Sequence, residues 1–90
     1  MSDSDNRTLP EGLPEWVAQI SPALGLRADE VPTADLLGLT GVVAHGVVRP
    51  AAPVTSFIMG LALGRGTVSS YAEADAIVRE FVETHGEANG

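Results

Sequence analysis

The sequence has no cysteine and no lysine among its 90 residues, and it has only four Phe, Trp and Tyr side chains in total. The absence of cysteine excludes disulfides, thiolate zinc sites and thiol catalysis. The absence of lysine excludes a P-loop, because that motif needs a lysine to hold the nucleotide phosphates. A chain of this length permits one small domain, and a domain of this size does not enclose a deep active site.

Basic side chains are also few, since five arginines stand against twelve carboxylates and the formal net charge is −7. Residues 1–35 carry −5 and residues 73–90 carry −4, whereas residues 36–72 contain no carboxylate and carry +2 through Arg49 and Arg65. Binding of DNA or RNA requires a cluster of basic side chains, so we expect no nucleic-acid partner. The acidic balance also argues against attachment to an anionic membrane surface.

The chain is expected to contain a disordered acidic leader over residues 1–12, a single helical domain over 13–85 and a disordered tail over 86–90. The leader lacks the apolar stretch of a secretory signal. The most apolar segment, over residues 51–64, is about 14 residues long and falls short of the roughly 20 that cross a bilayer. We therefore expect a cytoplasmic protein without a membrane span.

Between the predicted leader and tail, the spacing of apolar residues and the residue types typical of helix ends predict helices. The first helix begins near Pro14, is ended or bent by Pro22 and is terminated by Gly25. The second begins at Thr33 as its N-cap and runs towards Val47.

The third and fourth helices follow from the same signals. Either Pro50 or Pro53 suits the first turn of the third, which runs to about Gly64. Ser70 and Glu73 match a capping box at the start of the fourth. The prediction is an all-α fold, a small antiparallel bundle of four, or four to five, helices. The second and third helices would form a buried hairpin, which would also explain why this stretch lacks acidic residues.

The sequence offers little material for catalysis or metal binding. The two histidines, His45 and His85, lie forty residues apart, and neither belongs to a paired-ligand motif. No nucleophile, base and orienting acid occur together. We therefore expect no enzyme activity, no metal site and no cofactor.

One group of polar residues remains as a candidate binding site: His45, Arg49, Thr55 and Ser56. Arginine beside a helix N-terminus can bind a small anion or a partner's carboxylate. In the opposing interpretation, Arg49 and His45 only cap the last carbonyl groups of the second helix. Both interpretations stay open at this point.

A row of small residues spaced four apart, Ser56, Gly60 and Gly64, lies along the third helix. Such a row lets another backbone approach closely. If the row faces outwards, it could pair two chains. A weak homodimer is therefore a further alternative.

Four segments resemble a known family: LPEW at 13–16, ALGL at 23–26, AHGVVRPAAP at 44–53 and TSFIMGLALG at 55–64. They are similar to an uncharacterised actinobacterial helical domain, found alone or appended to nucleotidyltransferase-like proteins that make molybdopterin guanine dinucleotide. The resemblance implies a non-catalytic accessory or interaction domain. Its protein partner would act in molybdenum-cofactor biosynthesis or molybdoenzyme maturation. A small phosphate-, nucleotide- or pterin-phosphate-binding module using residues 44–57 is the alternative.

Overall fold

The computed structural model describes residues 9–86, so most of the predicted leader and tail lie outside the described residues. The described residues form helices and turns and contain no strand, which confirms the all-α class. The four α-helices are α1 (Leu13–Ala23), α2 (Thr33–Gly46), α3 (Ala51–Arg65) and α4 (Tyr71–Phe81). A 3₁₀ turn over Ala28–Glu30 precedes α2, and a π-helical turn over Val82–Gly86 extends α4.

The chain divides into two compact units, with the boundary between Ala34 and Asp35. The first unit holds α1 and the 3₁₀ turn. The second unit holds nearly all of α2, together with α3, α4 and the π-helical turn.

Glycines terminate α1 and α3, which confirms the prediction for Gly25. Gly25 adopts a left-handed φ of 81°, and its amide donates to the Pro22 carbonyl at 2.9 Å. The amide of Leu26 donates to the Ser21 carbonyl, also at 2.9 Å, which completes a Schellman motif. α3 ends in the same way at Gly66, with φ 78°. Pro22 lies inside the last turn of α1, where it removes one hydrogen bond of the helix, and the helix ends one residue later at Ala23.

Polar side chains at the helix starts only partly follow the prediction. The Ser70 hydroxyl accepts a hydrogen bond from the Glu73 amide at 3.1 Å, so the predicted cap of α4 is confirmed. The Glu73 carboxylate, however, turns to the amide and hydroxyl of Ser69, both at 2.8 Å, and the Ser69 amide in particular lowers the pKa of Glu73. The Thr33 hydroxyl donates to the Val31 carbonyl instead of accepting from the helix, so the predicted Thr33 cap is wrong.

In the second unit, one cluster of buried side chains joins the three helices: Leu39 of α2, Met59 of α3 and Ala74 of α4. Leu39 is fully buried. Val68, Tyr71 and Val78 pack against this cluster and are partly buried. These contacts hold the three helices together.

The expectation that α2 and α3 form a buried hairpin is wrong. α2 buries Leu39 and Val43, and α3 buries only Met59. Phe57 and Ile58 of α3 are exposed. A helix contacts a three-helix core through one face, and the described residues leave the opposite face of α3 uncovered although it is equally apolar.

The hydroxyl oxygen of Tyr71 is buried at the edge of this core and has no hydrogen bond of standard geometry. Burial raises the pKa of Tyr71 to about 12, and the carboxylates of Asp75 and Asp35 act in the same direction. Arg79 acts in the opposite direction. The phenol therefore stays protonated well above its usual pKa of 10.0.

We expect the free energy of unfolding to fall by on the order of 2 kcal/mol as the pH rises from 10 to 12. In that range the unfolded chain loses the phenol proton while the folded chain keeps it, so ionisation favours unfolding. Because Tyr71 is the single tyrosine of the chain, tyrosinate absorbance reports its pKa without ambiguity. Tyr71→Phe should remove this alkaline loss, because phenylalanine has no group that ionises in this range. A native pKa near 10 would contradict this description.

Candidate functional site

The most prominent surface feature of the second unit is an apolar face on α3. We call Val54, Phe57, Ile58 and Leu61 the outer face of α3; their exposed fractions are 58%, 70%, 56% and 43%. Their spacing of i, i+3, i+4 and i+7 places all four side chains on one side of the helix. This side is opposite the one that carries Met59 into the core.

The sequence of α3 explains why this face is both apolar and open. Apolar residues occur on all sides of the helix, so packing one side leaves apolar residues on the other. Gly60 and Gly64 flank the outer face without side chains, and a Cβ built on either one meets nothing within 4 Å. Contiguous exposed apolar patches on soluble domains commonly mark binding surfaces.

An arginine lies at each end of α3. Arg65 occupies the last turn of α3, and Arg49 lies just before its first turn. Both are exposed, and within residues 9–86 neither side chain has a hydrogen bond or an ion pair. The other described arginines are paired with carboxylates, Arg27 with Asp29 at 2.9 Å and Arg79 with Asp75 at 2.6 Å.

A second apolar feature of the same unit is a groove where the end of α2, the start of α3 and the end of α4 meet. Its volume is about 250 Å³, and its lining includes Val47, Thr55, Ile77 and Phe81. His85 stacks on Phe81 with 4.8 Å between the ring centroids. The His85 Nδ1 donates to the Phe81 carbonyl at 3.1 Å, so a ligand in the groove would have to compete with this hydrogen bond.

The four residues of the predicted binding site have separate surroundings. The His45 Nδ1 donates to the Gly41 carbonyl at 2.8 Å within α2. The Ser56 hydroxyl donates to the Ala52 carbonyl within α3 at 3.1 Å. Thr55 lines the groove and Arg49 is exposed. Ser56 is partly buried whereas Gly60 and Gly64 are exposed, so the row of small residues does not present one open surface.

The start of α3 also lacks the free amide groups that an anion would need. The amide of Ala51 donates to the Val48 carbonyl at 2.9 Å, and that of Ala52 donates to the Arg49 carbonyl at 3.1 Å. The next residue, Pro53, has no N–H. The anion interpretation therefore retains Arg49 but loses the contribution of the helix N-terminus.

Within the described part of the chain, no three His, Asp or Glu side chains come together as a set that could hold a metal ion. No described helix combines the length and the apolar character that a membrane span requires.

Residues 8–90 match the family described as a domain of unknown function, DUF6457. The chain belongs to the DUF6457 family. No curated protein and no solved structure matches it. The match includes all four α-helices, so the outer face of α3 is part of the DUF6457 domain itself.

Proposed function

We propose that this DUF6457 domain is a non-catalytic cytoplasmic interaction domain that docks to a protein partner through the outer face of α3. The observation that carries the proposal is the exposure of four neighbouring apolar side chains on one side of that helix. The proposed partner is a protein of molybdenum-cofactor (molybdopterin guanine dinucleotide) biosynthesis or of molybdoenzyme maturation. The choice of this partner is supported by the resemblance of residues 44–53 and 55–64 to helical domains appended to such nucleotidyltransferase-like proteins.

The energetics of the outer face favour docking. Full burial of one large apolar side chain contributes about 1.5–3 kcal/mol, so four adjacent ones can supply much of the free energy of an interface. Phe57 is the most exposed of the four, at 70%, and stands near the middle of the face. Aromatic residues at the centre of an interface often dominate its affinity. We therefore assign Phe57 as the anchor of the interface.

The proposal is tested by capturing partners from an actinobacterial lysate with the wild-type chain, Phe57→Ser and a matched control. The control is Phe81→Ser, since Phe81 is also exposed, at 58%, but lines the groove. We expect wild type and Phe81→Ser to recover a molybdenum-cofactor nucleotidyltransferase or maturation protein, identified by mass spectrometry. With that protein purified, calorimetry should show at least about tenfold weaker binding by Phe57→Ser.

Two results would count against the proposal. If the purified nucleotidyltransferase or maturation protein does not bind the wild-type chain, the partner assignment is wrong. If Phe57→Ser binds it as tightly as wild type does, the outer face is not the docking surface. Circular dichroism of each variant verifies that it is folded, which we expect because both side chains are mostly exposed.

The alternative proposal is a phosphate-, nucleotide- or pterin-phosphate-binding module over residues 44–57. The occupied amides of Ala51 and Ala52 argue against it. We therefore expect millimolar inorganic phosphate to leave the amide NMR signals of residues 44–57 unshifted. Saturable shifts confined to these residues, and abolished by Arg49→Ala, would favour the anion site instead.

A further inference from the structure

We infer that the segment that occupies the outer face of α3 is an acidic amphipathic helix of the partner. This inference rests on the proposed function and adds the chemistry of the partner to it. It follows from two arginines that have no partner among the described residues, one at each end of the helix that carries this apolar face.

The charge around α3 favours an acidic partner. Residues 36–72 contain no carboxylate, so the surroundings of α3 in sequence are positive although the whole chain carries −7. Arg49 and Arg65 are exposed and have no partner among residues 9–86, while Arg27 and Arg79 are paired. Charges on opposite sides of an interface are generally complementary. The arginines at the two ends of α3 therefore favour carboxylates on the partner.

The length of α3 favours a helical partner. Arg49 lies two residues before α3 and Arg65 is its last residue, so the two arginines bracket a helix of 15 residues, about 22 Å long. The four apolar side chains of the outer face lie between them. A complementary helix of about four to five turns would present apolar residues at i, i+3, i+4 and i+7 and carboxylates towards both ends. The apolar residues would supply most of the affinity, and the carboxylates would select and orient the helix.

The same charges disfavour a second copy of this chain. In a two-fold antiparallel pair of outer faces, Arg65 of one chain would approach Arg49 of the other. In a parallel pair, each Arg65 would approach its equivalent. Both arrangements bring like charges together, whereas an acidic helix neutralises both arginines.

The test uses synthetic helical peptides of twenty residues with blocked ends. One peptide carries leucines at i, i+3, i+4 and i+7 in an Ala/Gln background, with two glutamates near each end. A second peptide replaces these glutamates by lysines. We expect calorimetry to show binding of the glutamate peptide that is roughly tenfold tighter than that of the lysine peptide, with the difference shrinking at high salt.

Variants of the protein assign the effect to named side chains. Arg49→Glu/Arg65→Glu should reverse the preference, so that the lysine peptide binds more tightly. Arg27→Glu is the control, because Arg27 is exposed but already paired with Asp29, and it should keep the preference of wild type. Phe57→Ser should weaken both peptides.

Each other outcome overturns the inference in a recognisable way. If both peptides bound equally tightly and Phe57→Ser weakened both, the outer face would still be a docking surface. The inference that its occupant is acidic would then be wrong. Failure of both peptides to bind, with capture of the partner protein still dependent on Phe57, would overturn the helical occupant alone. Sedimentation of the chain without peptide as a dimer that Phe57→Ser makes monomeric would assign the outer face to a second copy.

Discussion

Leu39→Ala is expected to lower the free energy of unfolding by about 2–5 kcal/mol. Leu39 is the fully buried centre of the cluster that joins α2, α3 and α4, where it packs with Met59 and Ala74. Removing its branched end leaves a cavity that the neighbours on α3 and α4 cannot readily fill. A domain of this size has a total stability of about 5–13 kcal/mol, so the variant should lose a large part of it. Urea unfolding followed by circular dichroism measures the loss.

Leu37→Ala is the matched control, because Leu37 lies on the same helix but is 43% exposed. It loses fewer contacts and opens no closed cavity, so we expect a change below about 1 kcal/mol. If Leu37→Ala and Leu39→Ala were equally destabilising, the core would not be centred on Leu39.

Gly46→Ala is expected to destabilise the second unit by about 1–3 kcal/mol. Gly46 is the last residue of α2, and the side chain of Val82 from the π-helical turn occupies the position where a Cβ would be added. The extra methyl group must displace Val82 and with it the turn that continues α4. Thermal or urea unfolding would measure this cost.

Gly38→Ala provides the opposite result on the same helix, because a Cβ there meets nothing within 4 Å. Alanine has the higher helix propensity, so we expect Gly38→Ala to stabilise by up to about 1 kcal/mol. Adding Val82→Ala to Gly46→Ala should recover part of the loss, and a double-mutant cycle isolates this coupling. A stabilising effect of Gly46→Ala would show that Val82 does not pack closely on α2.

The helices and their ends could be predicted because the signals that set them are local. Gly25 terminates α1 through hydrogen bonds to the turn just before it. Ser70 caps α4 through an amide three residues away. Such bonds need only a few neighbouring residues, so the sequence around each one predicts it. Thr33 is an exception, because its hydroxyl donates backwards to Val31.

The buried and exposed faces could not be predicted in the same way. An α3 that is apolar on all sides predicts burial on all sides, but burial depends on what packs against it. The sequence shows the i, i+3, i+4, i+7 spacing of apolar residues from Val54 to Leu61. This spacing does not predict which side of α3 is buried, and in the structure it is the side of Met59.

The surroundings of the candidate binding residues could not be predicted for a related reason. His45, Arg49, Thr55 and Ser56 are close in sequence, but each has different neighbours in the structure. In the structure, His45 and Ser56 bond to carbonyl groups of their own helices. Such local bonds compete with any ligand, and residue type alone does not predict them.

Amide NMR of the isotope-labelled chain during titration with the glutamate peptide tests most directly whether the outer face of α3 is the docking surface. We predict that the largest saturable shifts fall within residues 54–65 and that Phe57→Ser abolishes them. Shifts centred on the groove, at Val47, Ile77 and Phe81, with residues 54–65 unchanged, would contradict the account.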